Sequence, residues 1–462
     1  MHRLGWAALA AAWLAAAPAA AADFDAAARS ARALLEALVA ADTSNPPGNE
    51  ARAVALGAER LRAAGLPVRV TEFAPGRENL VARLASGGGA PPLLLLAHAD
   101  VVGAAGQSWS SEPHRVVERD GYLYGRGVGD DLGMAAVALE VVLLLQREKV
   151  PLARDVILAW TGDEESGGAG IRWLLEHEPG SLDAAVALNE GGGVRLGEDG
   201  RPAAIDLQTA EKQYQDFELV ARGPTGHSSV PLADNAIYRL ARALDRLSAH
   251  RFPARLLPVT RAWLAARAPS EPAERRRAME SLASARAALP AGALAQLDAD
   301  PILAATLRTT CVATLLAGGT RVNALPAEAR ATLNCRILPD ETPEQVRTAL
   351  AKVIDDPALE LRPTQEFGFA APSPIEGPVP DAIRRVAGEM WPGIPIVPFM
   401  SRGATDSRFL RARGVAAYGI NPIALGEADE QRAHGVDERI PAASLRPAVE
   451  FLYRLVVAIA GG

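Results

Sequence analysis

Cysteine is almost missing from the chain: Cys311 and Cys335 are the only two in 462 residues. That excludes a disulfide scaffold, and with no C-x-x-C pair it excludes a zinc knuckle. The two flank the turn-like stretch GGTRVNALPAEA, so a hairpin centred near Asn323 sets them roughly opposite each other. A single bridge in an oxidising compartment and two buried free thiols both stay open as readings. An excess of positive charge is lacking too. The formal net charge is −7 and no basic run is interleaved with aromatics, which argues against a nucleic-acid surface. Past the N-terminus there is no apolar run of the roughly 20 residues a membrane span needs.

What is there begins with a leader. Arg3 precedes an apolar Ala/Leu/Trp segment, and Ala20-Ala21-Ala22 offers an A-x-A cleavage site before Asp23. Residues 1–22 therefore read as an export signal, with a mature, periplasmic protein starting near Asp23 and no stable membrane anchor once the signal is removed. The rival reading, an uncleaved anchor, suits an Ala-rich stretch containing Pro18 poorly.

The remaining length exceeds one compact core, so at least two domains are expected. From 24 to 207 helical periods (24–40, 50–64, 134–149, 171–178) alternate with short apolar or alternating runs (68–73, 79–84, 93–97, 156–161, 184–188). This is the pattern of an α/β doubly wound sheet. After about Leu207 the rhythm becomes β-α-β-β-α-β: strand 214–222, helix 235–247, strands 309–316 and 329–337, helix 343–353, strand 359–362. That order is ferredoxin-like, an α+β unit inserted as a lid or dimerisation domain. We place the catalytic domain at 23–207 and 367–462, and the lid at 208–366. The Ala/Arg/Leu/Pro-rich segment at about 251–307 reads as a helical insertion, most simply solvated surface.

The acidic and imidazole side chains cluster where strands end. His98 and Asp100 close the apolar run LLLLA, and Asp130-Asp131 follow the glycine-rich GRGVG. Asp163, Glu164 and Glu165 end the next strand, Glu190 the one after, and His434 lies far downstream. Ligands bind beyond the carboxyl ends of such strands. In an extended chain Asp100 lies on the same side as His98, where it can accept the second ring N–H and fix the tautomer. Carboxylates gathered this closely repel one another unless cations lie among them. Mixed oxygen and imidazole donors suit Zn²⁺, with Mn²⁺ or Co²⁺ as alternatives. The number of candidates suits two ions sharing one bridging carboxylate.

HAD, WSSEPHRVVERDGYLYGRGVGDDLG, TGDEESGG, NEGG, RGPTGHSSVP, GTRVNALP with NCR, RGATDSRF and AHGVDERI occur in that order. Together they resemble the M20 family of co-catalytic zinc peptidases and N-acyl-amino-acid hydrolases, in particular its carboxypeptidase S-like and aminoacylase-like branch. The resemblance covers nearly all of the mature chain. It implies that Asp130 bridges two Zn²⁺ ions, with His98 and Glu190 on one and Glu165 and His434 on the other. Glu164 would be the general base, Asp100 the partner of His98, and His227 the oxyanion donor, commonly reaching across a dimer interface. Asn323, Arg336, Gly403 and Thr405 would bind the substrate carboxylate. The substrate would be a small peptide or an N-acyl amino acid, and the lid would form a homodimer. One departure is visible: Leu132 stands where the family commonly has Lys.

Taken singly, each residue has a plainer reading. Glu164-Glu165 suits a helix start, His434 a solvated loop, His227 a local turn bond and Arg336 an exposed strand position. Two other functions compete with the hydrolase: an inactive relative that binds metal or peptide, and a mononuclear deacetylase or esterase.

Overall fold

The structure is a computed structural model that describes residues 22–364 and 370–461. All but the last residue of the expected export signal lies outside the described residues, as does Phe367, where the first sheet is expected to resume.

An eight-stranded mixed sheet organises the molecule. Its order is Ile396–Ser401, Pro202–Glu211, Ala416–Leu425, Val186–Leu196, Ala90–His98, Arg154–Thr161, Arg77–Leu84, Val68–Ala74. The four strands from Ala416–Leu425 to Arg154–Thr161 run parallel to one another. Ala90–His98 shows why the apolar run folds this way. Leu93, Leu95 and Ala97 enter one core layer while Leu94 and Leu96 enter the opposite one, as the two-residue period of a strand requires. A strand covered on both faces has no solvated side to make polar. One face carries helices Phe24–Ala40, Ala51–Ala63, Leu132–Glu148, Pro378–Met390 and Leu445–Ala460. The other carries Ala169–His177 and Ser407–Arg411. Leu132–Glu148 is apolar nearly all round because it lies between the sheet and the helices Phe24–Ala40 and Leu445–Ala460.

Two features of this sheet differ from the sequence reading. The strand expected to stop at NEGGG continues through Glu190 to Leu196. Register shifts against Ala416–Leu425 around Asn421 accommodate the glycines. A Cβ on Gly192 would stand 2.3 Å from the Asp206 carbonyl oxygen, so only glycine lets the backbones approach there. The partner strand Pro202–Glu211 is also additional. It returns antiparallel after a turn closed by the Gly197 N–H on the Arg201 carbonyl, and the Asp-Gly at 199–200 is the local signal for it.

At Lys212 the chain leaves this sheet, and Gln213–Arg222 begins a second one. Its order is Thr310–Gly318, Glu328–Ile337, Gln213–Arg222, Leu359–Pro363, all antiparallel. Helices Ala236–Ala249 and Pro343–Ile354 share one core with it, built on Phe217, Leu219, Leu240, Leu333, Val346 and Leu350. Connectivity and strand order are those of the ferredoxin-like arrangement. Cys311 and Cys335 face each other in register and are joined by a disulfide.

The segment between Ala249 and Thr310 is more than solvated surface. Helices Pro258–Arg267, Ala273–Ser284, Ala291–Asp298 and Pro301–Thr306 bury Leu264, Met279, Leu282 and Leu297 in a core of their own. Pro258–Arg267 packs on strand Ile396–Ser401 of the first sheet.

Candidate metal centre

His98 is the last residue of its strand and almost fully buried. Its Nε2 lies 3.1 Å from Oδ1 of Asp130, which the loop after the glycines carries back over the strand end. The other oxygen of Asp130, Oδ2, lies 3.1 Å from Nε2 of His434, and that same nitrogen lies 3.0 Å from Glu165 Oε2. One carboxylate thus stands between two imidazoles, one oxygen toward each. Donor atoms of His98, Asp130 and Glu165 lie within 4.8 Å of one another, and so do those of His98, Glu164 and Glu190. The five expected metal ligands and Glu164 therefore share one cleft, although Glu190 arrives from mid-strand rather than from a strand end.

The electrostatics of this cluster are unbalanced. Burial works against the Asp130 carboxylate, yet bonds with His434 and His98 hold its pKa far below the usual range. Burial drives Glu164 and Glu190 well upward, and neighbouring carboxylates add to it: Asp406, Glu165 and Asp130 around Glu164, and Glu164 and Asp130 around Glu190. His434 is pushed up to about 10 by its bonds to Asp130 and Glu165. Burial opposes protonation of His98, but Asp130, Glu190 and Asp131 raise it well above the ordinary value. Four carboxylates confront two imidazoles, and the buried Glu165 Oε1 has no hydrogen-bond partner among the described residues. A buried acceptor without a partner is costly. Divalent cations fit this set: they supply the missing charge, and the oxygen and imidazole donors suit Zn²⁺.

The supports of the cleft come from distant parts of the chain. Asp100 departs from its expected role. The ring Nδ1 of His98 is held by the main-chain carbonyl of Asp100 at 2.8 Å, and the carboxylate stands 3.7 Å off. That carboxylate instead accepts the N–H groups of Glu164 and Glu165 at 3.1 and 3.2 Å and the Asn45 amide at 2.8 Å. It fixes the turn that carries the expected base. Asp163 closes the same turn, accepting from Arg77 at 2.9 Å and from the Ala169 N–H at 3.1 Å. Glu438 was not singled out from the sequence. Its buried carboxylate accepts Arg126 Nη1 at 2.7 Å and the N–H groups of Gly127, Gly129 and Asp130 at 3.0, 2.9 and 3.1 Å. The only signal for it was its place in AHGVDERI, four residues after His434.

The remaining expected residues divide. Arg336 and Gly403 line the cleft, a space of about 410 Å³ that also contains Asp130, Glu164, Glu190 and His434. The Arg336 guanidinium is half-buried over the ring of Tyr214, 4.7 Å from its centroid, and makes no ion pair among the described residues. Burial lowers its pKa from 12.5. Thr405 does not reach the cleft: it is buried, and its hydroxyl donates to Glu211. His227 and Asn323 lie together, exposed, at a short two-stranded ladder separate from the second sheet. Gly226–His227 pairs with Ala324–Leu325, and the Ser228 N–H donates to the Asn323 carbonyl at 3.1 Å. Neither residue is among those lining the cleft.

Comparison with known proteins bears on the family and the fold. The family model described as peptidase family M20/M25/M40 matches residues 94–458. The human N-fatty-acyl-amino acid synthase/hydrolase PM20D1 is 28% identical over 396 residues, covering 79% of this chain and 73% of that protein. Aminoacylase-1 of Pongo abelii is 26% identical over 428 residues, covering 90% of this chain and 92% of its own length. Among solved structures, the M20 family metallo-carboxypeptidase Sso-CP2 from Sulfolobus solfataricus superposes with a TM-score of 0.70 at 20% identity, over 93% of this chain and 98% of that one.

Proposed function

This chain belongs to peptidase family M20/M25/M40, and from that premise we propose that it is an exported two-metal hydrolase of amide bonds adjacent to a free carboxylate. The observation that carries the proposal is Asp130, whose two oxygens each stand 3.1 Å from the Nε2 of a different histidine. Asp130 would be shared by the two ions, His98 and Glu190 would help hold one, and Glu165 and His434 would help hold the other. Zn²⁺ suits these donors, with Mn²⁺ or Co²⁺ as alternatives. When bound, the ions supply Lewis acidity to the amide carbonyl and lower the pKa of water.

The chain's own groups do the rest. Glu164, beside His98 and Glu190, takes a proton from the attacking water and returns it to the leaving nitrogen. Asp100 keeps the backbone of Glu164 and Glu165 in place. Arg336, half-buried with no carboxylate partner of its own, holds the substrate carboxylate in a two-pronged bond. N-acyl amino acids and peptides with a free C-terminus meet this requirement, in line with the names of the relatives.

His227 and Asn323 complete the site from a second copy, His227 as the oxyanion donor. Their exposure at this ladder supports this. So does the apolar surface beside them, where Leu315, Leu316 and Val322 lie open on and next to the edge strand Thr310–Gly318. Export to the periplasm is supported by the leader sequence and by the Cys311–Cys335 bridge.

The test is Glu164→Gln with metal analysis. The variant should keep both equivalents of metal while kcat falls by about 10²–10⁴. Full turnover with metal retained would remove Glu164 from the mechanism.

A further inference from the structure

His434 differs from His98 in how it is held. The His98 side chain is 2% exposed at a strand end, whereas that of His434 is 55% exposed and stands on a turn. The ring Nδ1 of His98 is fixed by the Asp100 carbonyl at 2.8 Å. The His434 ring meets only Asp130 and Glu165, both through Nε2, and its Nδ1 has no hydrogen-bond partner among the described residues. A metal-binding imidazole is ordinarily oriented through its second nitrogen. Without that bond, the orientation of His434 depends on where its main chain stands. The main chain there is in the left-handed region, with φ +62° at His434 and +53° at Asp437. Such a residue persists only where its surroundings hold it.

The hold comes from the loop around Trp109. Gln107, 327 residues away in sequence, donates Nε2 to the His434 main-chain carbonyl at 2.9 Å. Its Oε1 accepts Trp109 Nε1 and Arg126 Nη2, both at 2.9 Å. The same Arg126 nitrogen reaches the Gly435 carbonyl at 3.0 Å, and the guanidinium lies over the Trp109 ring, 5.0 Å from its centroid. Further along the loop, the N–H and hydroxyl of Ser110 donate to Asp437 Oδ1 at 2.8 and 2.9 Å. Every polar group of the Gln107 side chain is thus engaged, and its only donor contact is the backbone of a proposed ligand.

We propose that Gln107 is a positioning residue for the metal site that includes His434. Its amide fixes the main chain from which the imidazole projects, so it sets the affinity of that site and not of the one that includes His98 and Glu190. The proposal rests on the two-metal reading above. An amide suits the task because it donates from one end and accepts at the other. In Gln107→Glu the acceptor for Trp109 and Arg126 is kept, but an oxygen faces the His434 carbonyl. In Gln107→Met both functions are lost.

Two measurements on the wild type and these two variants test it. In stepwise zinc titration against a chelator, the variants should bind one ion within about twofold of wild-type affinity and the other about tenfold or more weakly. In the metal-free proteins, hydrogen exchange should speed up about tenfold at Ala433 and Gly435, whose N–H groups bond the Glu430 and Arg432 carbonyls, and stay unchanged in strand Ala90–His98. Equal weakening of both ions, or of neither, overturns the proposal even though the two-metal reading stands. Exchange that keeps the wild-type rate overturns it as well. If the wild type takes up a single ion, the two-metal reading fails. Gln107 then keeps its role only if its replacement weakens that ion and speeds exchange, and loses it otherwise. Should Gln107→Glu not fold, Gln107→Met is judged by the same two measurements.

Discussion

Glu438 is not among the proposed metal ligands, yet the geometry makes it decisive for where Asp130 stands. Its carboxylate accepts four hydrogen bonds: one from the buried guanidinium of Arg126 and three from the N–H groups of Gly127, Gly129 and Asp130. The loop that presents Asp130 is therefore shaped around one pair of oxygens. In Glu438→Gln one oxygen becomes an NH₂ group. In either orientation it points a donor at donors, since Oε2 faces Arg126 and Gly127 while Oε1 faces Gly129 and Asp130. A buried donor left without an acceptor costs about 1–3 kcal/mol, so a loss of roughly 3 kcal/mol is expected. At about 2 °C per kcal/mol for a large domain, that lowers Tm by about 6 °C. Because Asp130 is displaced relative to His98 and His434, metal affinity should fall about 10–100-fold. Glu438→Ala should be worse, about 3–5 kcal/mol, because it leaves Arg126 buried without its counter-charge. Thermal unfolding of the metal-free protein and chelator competition for zinc measure the two effects separately. An unchanged Tm together with affinity within twofold of wild type would refute the reasoning.

Two further expectations follow from charged groups near the cleft. Arg336→Met should raise KM for carboxylate-bearing substrates by about 10–100-fold, the worth of a charge-assisted bond of about 1.5–3 kcal/mol, with metal content unchanged. An unaltered KM in steady-state kinetics would take the substrate carboxylate elsewhere. Lys212, buried where the chain passes between the two sheets, is pushed down from 10.5 to about 7, first by burial and then by Arg402, Arg336 and Arg308. The unfolded chain then binds the extra proton between about pH 7 and 10.5, so wild-type stability rises with pH across that window and the penalty is complete below it. Lys212→Met should be more stable than wild type near pH 6, by at most on the order of 5 kcal/mol at 1.36 kcal/mol per pKa unit, and the gap should close toward pH 10. Urea unfolding at several pH values reads the gap, and parallel curves would contradict the assignment.

Why some of this was legible in the sequence and some was not follows from what each residue does. That His98, Asp130 and Glu165 come together could be read because a proposed ligand must be a particular side-chain type at a strand end or loop end, and a buried strand announces itself by its apolar run. Glu190 was found by type, but its setting was misread: a strand that continues through three glycines has no periodicity to count. Asp100 shows a different limit. Its spacing from His98 was right, but the main-chain carbonyl competed successfully for the ring nitrogen, and spacing cannot tell one acceptor of a residue from another. Thr405 shares a loop with Gly403, yet burial turned its hydroxyl inward to Glu211. Glu438 and Asn45 were not seen at all. The first holds backbone 308 to 311 residues away and the second a carboxylate 55 away, and no local pattern encodes a partner that only the fold brings near. The same division explains the inserted helices, whose composition described a soluble surface while Leu264, Met279 and Leu282 went to a core of their own. Residues that act on a ligand are constrained by chemistry and recur as types in order. Residues that hold those in place are constrained only by position, so the order of motifs finds the first set and coordinates are needed for the second.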